Sequence, residues 1–129
     1  MQLDILPDLP RKLNKREASV TSSVLKWFKT NYPSSCALEI KATNKNSIPA
    51  SALLPHQYKA LIAVKNDSGI TFKIPDTGHM KLPFDAFFLK HIDAFVVACF
   101  TKNRICLAID PLKWKGAKPD SVCEFSFTP

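Results

Sequence analysis

Between Asp93 and Thr101 the chain reads DAFVVACFT, a nearly continuous apolar run. Such a run fits a central strand buried on both faces, and a sheet with a strand of this kind must be covered by other layers on both sides. The segments before it supply two candidate layers. Val20, Val24, Trp27 and Phe28 follow the i, i+4, i+7, i+8 spacing of a core-facing helical stripe. This helix is expected to begin near Asn14, where Asn14 and Glu17 fit the N-cap and N3 positions of a capping box. It should stop by Asn31, because Pro33 disfavours helical geometry at Tyr32. A second helix is expected from Pro55, which suits a first turn. Its apolar stripe reads Leu54, Tyr58, Leu61 and Ile62, with Gln57 and Lys65 off the stripe, and the NDSG run at 66–69 ends it.

The rest reads as strands. CALEIKAT (36–43) alternates, with Cys36, Leu38, Ile40 and Ala42 on one face and Ala37, Glu39, Lys41 and Thr43 on the other. ITFKIP (70–75) alternates too, PFDAFFL (83–89) is apolar on both faces except for Asp85, and VCEFSF (122–127) is an edge candidate. RICLAID (104–110) follows DAFVVACFT after a short turn at Lys102 and Asn103, which predicts a hairpin. The order helix, strand, helix, then several strands predicts an α/β sandwich with a mixed sheet. Residues 1–12, with Pro7 and Pro10, read as an extended arm, and residues 13–129 as one domain.

Composition narrows the function classes. Of 129 residues, 46% are hydrophobic and 22% charged, which is globular rather than disordered composition. No run approaches the ~18 apolar residues of a membrane span. The N-terminus lacks the pattern of a secretory signal, so a cytoplasmic location is expected. Three scattered glycines exclude a glycine-rich phosphate loop. Four cysteines without C-x-x-C spacing predict reduced, inert thiols. A net charge of +7 favours an anionic partner, nucleic acid first and an anionic membrane surface second, against the plain alternative of solubility.

Glu39 and Lys41 share a strand face, so a carboxylate able to bind a hard divalent cation stands beside an ammonium able to stabilise developing charge. The competing reading is a solvated surface ion pair worth about 0–1 kcal/mol. Asp85 lies among apolar neighbours in KLPFDAFFLK. A lone buried carboxylate needs a cation, a hydrogen-bond network or solvent, and a metal shared with Glu39 would meet that need. Asp76, in a Pro-Asp-x-Gly turn signal, competes for the role, and Asp93 reads as a strand-start residue. Glu17 reads either as a cap partner or as a further acid at the site.

A helix with an early Glu, then LEIKAT, a Pro-containing loop and PHQYKAL, resembles the PD-(D/E)xK nuclease superfamily, and within it the Holliday-junction resolvases of bacterial and phage type. The resemblance spans about residues 14–112. It implies a restriction-endonuclease-like fold, a central mixed sheet flanked by helices. Glu39 and Lys41 match the E-x-K pair, His56 and Gln57 the helix pair, and Glu17 the acid of the first helix. AFVVACF and RICLAID match the strand hairpin that follows. One departure stands out, since no Asp lies between Leu13 and Glu39, where the family carries its metal-binding Asp. Asp85 is then expected as a migrated acid, completing with Glu39 a site for Mg²⁺, or Mn²⁺ as substitute. Gln57 would position water or phosphate.

On this reading the chain is a metal-dependent, structure-selective DNA endonuclease acting on four-way junctions in recombination and repair. A linear-duplex, flap or mismatch endonuclease and a non-catalytic DNA-binding module are the alternatives. Arg11, Lys12, Lys15 and Arg16 before the first helix, and Lys113, Lys115 and Lys118 around Trp114, would track the phosphate backbone, with Trp114 stacking on a base. Two symmetric cuts would require a homodimer.

Overall fold

The fold was obtained as a computed structural model and is described for residues 15–78 and 81–129, with side chains described from Ser19 onward. The arm at 1–12 and the Asn14 cap lie outside the described residues. The helices are α1 (Lys15–Asn31) and α2 (Pro55–Lys65). The strands are β1 (Cys36–Thr43), β2 (Ile70–Lys73), β3 (Ala86–Leu89), β4 (Asp93–Phe100), β5 (Ile105–Ile109) and β6 (Phe125–Phe127). Two short 3-10 turns, Ala50–Ala52 and Pro111–Lys113, complete the described elements. The architecture is mixed α/β, as the element order implies.

β1, β4, β5 and β6 form one sheet in that order, while β2 and β3 pair as a separate two-stranded sheet. β1 and β4 run parallel, with Cys36 opposite Asp93 and Thr43 opposite Phe100. Parallel neighbours need a crossover, and α2 with the β2–β3 hairpin is that crossover. β4–β5 and β5–β6 are antiparallel. From Ala94 onward every residue of β4 is buried, which is the two-sided burial that its apolar run dictates. Arg104 closes the β4–β5 turn with φ +52°.

Helix α1 covers one face of the sheet. Val24 and Phe28 pack with Phe95, Val97, Cys99, Cys106, Ala108 and Phe127, and Leu38 and Ile40 of β1 join them. Trp27 lies flat on Phe127, with ring centroids 4.1 Å apart, and Phe28 meets Phe127 edge-on at 5.5 Å. Such pairs add about 0.5–1.5 kcal/mol beyond area burial. Helix α2 covers the other face, where Leu61 and Val64 pack with Leu53, Ile70, Ala94 and Val96.

The buried face of α2 is Gln57, Ala60, Leu61 and Val64, at i, i+3, i+4 and i+7. This corrects the stripe expected from the sequence, because Leu54 and Tyr58 are exposed. A glutamine takes the place that hydrophobic sorting gave to a tyrosine, and its reason lies on β1.

Candidate functional site

Because β1 alternates, the faces sort as the sequence implies. Leu38 and Ile40 pack toward α1, while Ala37 packs on the α2 side, and Glu39 and Lys41 share that side with it. β1 is an edge strand and is only half-buried along its length, so this face can be reached from solvent.

Pro55 opens α2 at its first position, which leaves Gln57 at N3. There the Gln57 carbonyl accepts the Leu54 amide at 3.0 Å, satisfying one of the donors that a helix start leaves open. The same oxygen accepts the Lys41 ammonium at 3.1 Å. Gln57 is 6% exposed, the single buried polar residue among the described ones. The Lys41 ammonium also stands 3.5 Å from Glu39 Oε2, with the two side chains 13% and 23% exposed. Three of the expected site residues, Glu39, Lys41 and Gln57, therefore meet. At this depth the contact is more than a surface ion pair, since both charged groups are largely screened from water. Chemically, the group offers a hard oxygen ligand, an ammonium and an amide that holds the ammonium in place.

The far end of α2 is tied down by a second pair. Lys65 donates to Asp110 at 3.0 Å, and Asp110 caps the turn at Pro111–Lys113 by accepting the Leu112 amide at 3.0 Å. Burial pushes the Asp110 carboxyl up, but the Leu112 amide and the Lys65 ammonium outweigh it and hold the group below its ordinary range. Asp110 followed by Pro111 is a cap signal in the sequence, whereas its pairing with Lys65, 45 residues earlier, has no local signal.

The acids expected to join Glu39 fall differently. Asp85 heads β3 in the two-stranded sheet, is exposed, and offers its backbone carbonyl to the Ile74 amide at 2.8 Å. This corrects the expectation of a carboxylate buried among apolar neighbours, because Asp85 lies in the exposed bend just before β3, beside the exposed Phe84, and needs no cation to offset burial. Asp76 accepts the Gly78 amide at 2.9 Å and is a turn residue. Asp93, at the head of β4, accepts the Tyr32 hydroxyl at 2.6 Å and the Ser34 hydroxyl at 3.3 Å. Glu17 lies in the first turns of α1, and its side chain is outside the described residues. Among the described residues, no three His, Cys, Asp or Glu side chains come together as a ligand group. Glu39 thus supplies one carboxylate. One carboxylate is the least that a Mg²⁺ site held mainly by substrate phosphates and waters takes.

Of the basic residues, Arg11 and Lys12 lie outside the described residues, as do the side chains of Lys15 and Arg16. Lys113 pairs with Glu124 at 3.1 Å, and Lys115 and Lys118 are exposed. Trp114 is an anchor of the fold. Its indole N–H donates to the Ala50 carbonyl at 2.9 Å and its ring packs against two core clusters, which accounts for its place without a base to stack on. His56 is exposed on the first turn of α2. No helix among the described residues is long and apolar enough to cross a membrane. Compared with protein-family models, curated proteins and solved structures, the chain matches none.

Proposed function

We propose that the domain hydrolyses phosphodiester bonds in DNA, with four-way junctions as its preferred substrate and Glu39 and Lys41 as its working pair. The observation that carries this reading is the convergence of Glu39, Lys41 and Gln57 on the α2 side of the edge strand β1. The E-x-K spacing, the overall charge of +7 and the resemblance to junction resolvases support it. The restriction-endonuclease-like fold belongs to the same proposal, as does a homodimer placing two such sites symmetrically.

In this mechanism Lys41 sits beside the scissile phosphate and stabilises the negative charge that grows on its oxygens. Gln57 keeps the ammonium in that position. Glu39, the one carboxylate described at the site, would hold Mg²⁺. The ion, when bound, supplies Lewis acidity toward the phosphoryl oxygens and lowers the pKa of water.

A second reading keeps the DNA and drops the chemistry. The single carboxylate described at the site favours a binding module, for which calorimetry would register no uptake of Mg²⁺ or Mn²⁺. Incubation with Mg²⁺ and a labelled mobile four-way junction, beside a linear duplex of matched sequence, tests the proposal. Nicking of the junction faster than the duplex is expected. Equal rates would move the substrate to linear DNA, and intact DNA under every divalent ion would leave the binding module.

A further inference from the structure

Beyond Lys41 the chain leaves β1 through a polar loop, and a cleft of about 390 Å³ lies over that exit. Its lining includes Lys41, Asn44, Lys45, Ser47 and Pro49, and no carboxylate lines it. A concave surface carrying one sign of charge raises the local concentration of counter-ions. Of the two lysines that line it, Lys41 is largely buried against Glu39 and Gln57, and Lys45 is exposed.

The wall of the cleft is fixed. Ile48 and Ala117 exchange two backbone hydrogen bonds, each 2.8 Å long. Trp114 holds the Ala50 carbonyl from the same segment. Gly116 makes the close approach possible, since a Cβ there would stand 2.6 Å from the Ile48 carbonyl oxygen. At the start of the loop the Lys45 amide donates to Thr43 Oγ1 at 3.1 Å, which sets the turn. A recognition surface held in this way loses little freedom on binding.

We propose that this cleft seats the sugar–phosphate backbone of a nucleic-acid strand, with the exposed Lys45 taking a phosphate and the strand leading on to the more deeply set Lys41. The inference rests on the phosphodiester reading of Glu39 and Lys41. A strand suits the cleft better than a single anion because its repeating charges engage two lysines at different depths together.

The test is fluorescence anisotropy of a labelled four-way DNA junction, in EDTA so that no cleavage intervenes. Three proteins are compared: the wild type, Lys45→Ala, and Lys90→Ala, which removes a charge next to the opposite end of β4. Lys45→Ala should weaken binding by about tenfold at low salt and make the slope of log affinity against log salt shallower by about 0.9, the signature of one lost phosphate contact. Lys90→Ala should bind as the wild type does, and Lys45→Ala should keep the wild-type unfolding midpoint, since the side chain is exposed. Unchanged affinity and slope in Lys45→Ala, an equal loss in Lys90→Ala, or no binding by the wild type would each overturn the proposal. So would displacement of the junction by inorganic phosphate at matched ionic strength through Lys45, which would make the cleft a small-anion site. Cleavage with unaltered binding by Lys45→Ala removes the cleft alone, whereas Lys45-dependent binding without cleavage removes the hydrolytic reading alone.

Discussion

Lys41 on β1 and Gln57 on α2 meet at 3.1 Å, and the Gln57 oxygen that joins them also accepts the amide that opens the helix. One atom therefore starts α2 and holds the ammonium. Gln57→Leu leaves the Leu54 amide and the Lys41 ammonium without that acceptor, and it should lower stability by about 1–3 kcal/mol. Lys41→Met leaves the Gln57–Leu54 bond intact and should cost less. Urea denaturation of both variants checks this, and equal losses would show that the helix start does not depend on Gln57.

Two glycines with positive φ separate backbone strain from steric fit. Gly116 has φ +83°, and an added Cβ would meet the Ile48 carbonyl oxygen at 2.6 Å and the Ala50 nitrogen at 2.9 Å. Gly78 has φ +75° and open space around it. Gly78→Ala should cost about 1–2 kcal/mol for the left-handed backbone alone. Gly116→Ala should exceed it by a further ~1–3 kcal/mol, because the pairing of Ile48 with Ala117 must shift. Thermal unfolding of the two variants measures the difference.

Tyr32 provides an alkaline marker. Burial and its hydrogen bond to the Asp93 carboxylate, together with the charge of that carboxylate, raise its pKa from the usual 10.0 to about 12. Between these values the folded protein retains a proton that the unfolded chain has lost. Stability from this source is therefore complete below pH 10.0 and falls as pH rises toward about 12. Ultraviolet titration of a Tyr58→Phe protein, which leaves Tyr32 as the only tyrosine, should show the high midpoint. Asp93→Asn should bring it down. An ordinary midpoint in the Tyr58→Phe protein would show that Tyr32 does not donate to Asp93.

The thiols should fall into two classes. Cys99 and Cys106 face each other across β4 and β5, both buried, with sulfurs 2.7 Å apart. The contact with Cys106 and burial push the Cys99 thiol well up. Cys36 and Cys123 are half-buried. A disulfide reagent should label Cys36 and Cys123 in the native protein, and Cys99 and Cys106 at least about tenfold more slowly, limited by opening of the sheet. Equal rates for all four would contradict the packing of β4 against β5.

Local pattern carried much of this molecule. β1 was legible from residue 36 to 43 because strict alternation fixes both its extent and its faces. β4 was legible because only a central strand is apolar on both sides. Helix α1 ends at Asn31, where Pro33 requires. What failed depended on distant partners. Gln57 falls off the apolar stripe in sequence because it is polar, yet it is buried because Lys41, sixteen residues earlier, supplies its hydrogen bond. Asp85 looked buried because its sequence neighbours are apolar, but its hairpin stands apart from the main sheet and Phe84 and Phe88 beside it are more than half exposed. The bond from the Trp114 indole to the Ala50 carbonyl, 64 residues away, likewise has no local signal.

The pairing of Glu39 with Lys41 is best judged by comparing cleavage and binding in one pair of variants. Glu39→Gln and Lys41→Ala, assayed with Mg²⁺ on a labelled four-way junction, should each lose at least about 10²-fold in cleavage rate. Glu39→Gln should still bind the junction in EDTA, having lost no positive charge. Wild-type cleavage rates in both variants would contradict the assignment of the reaction to this pair.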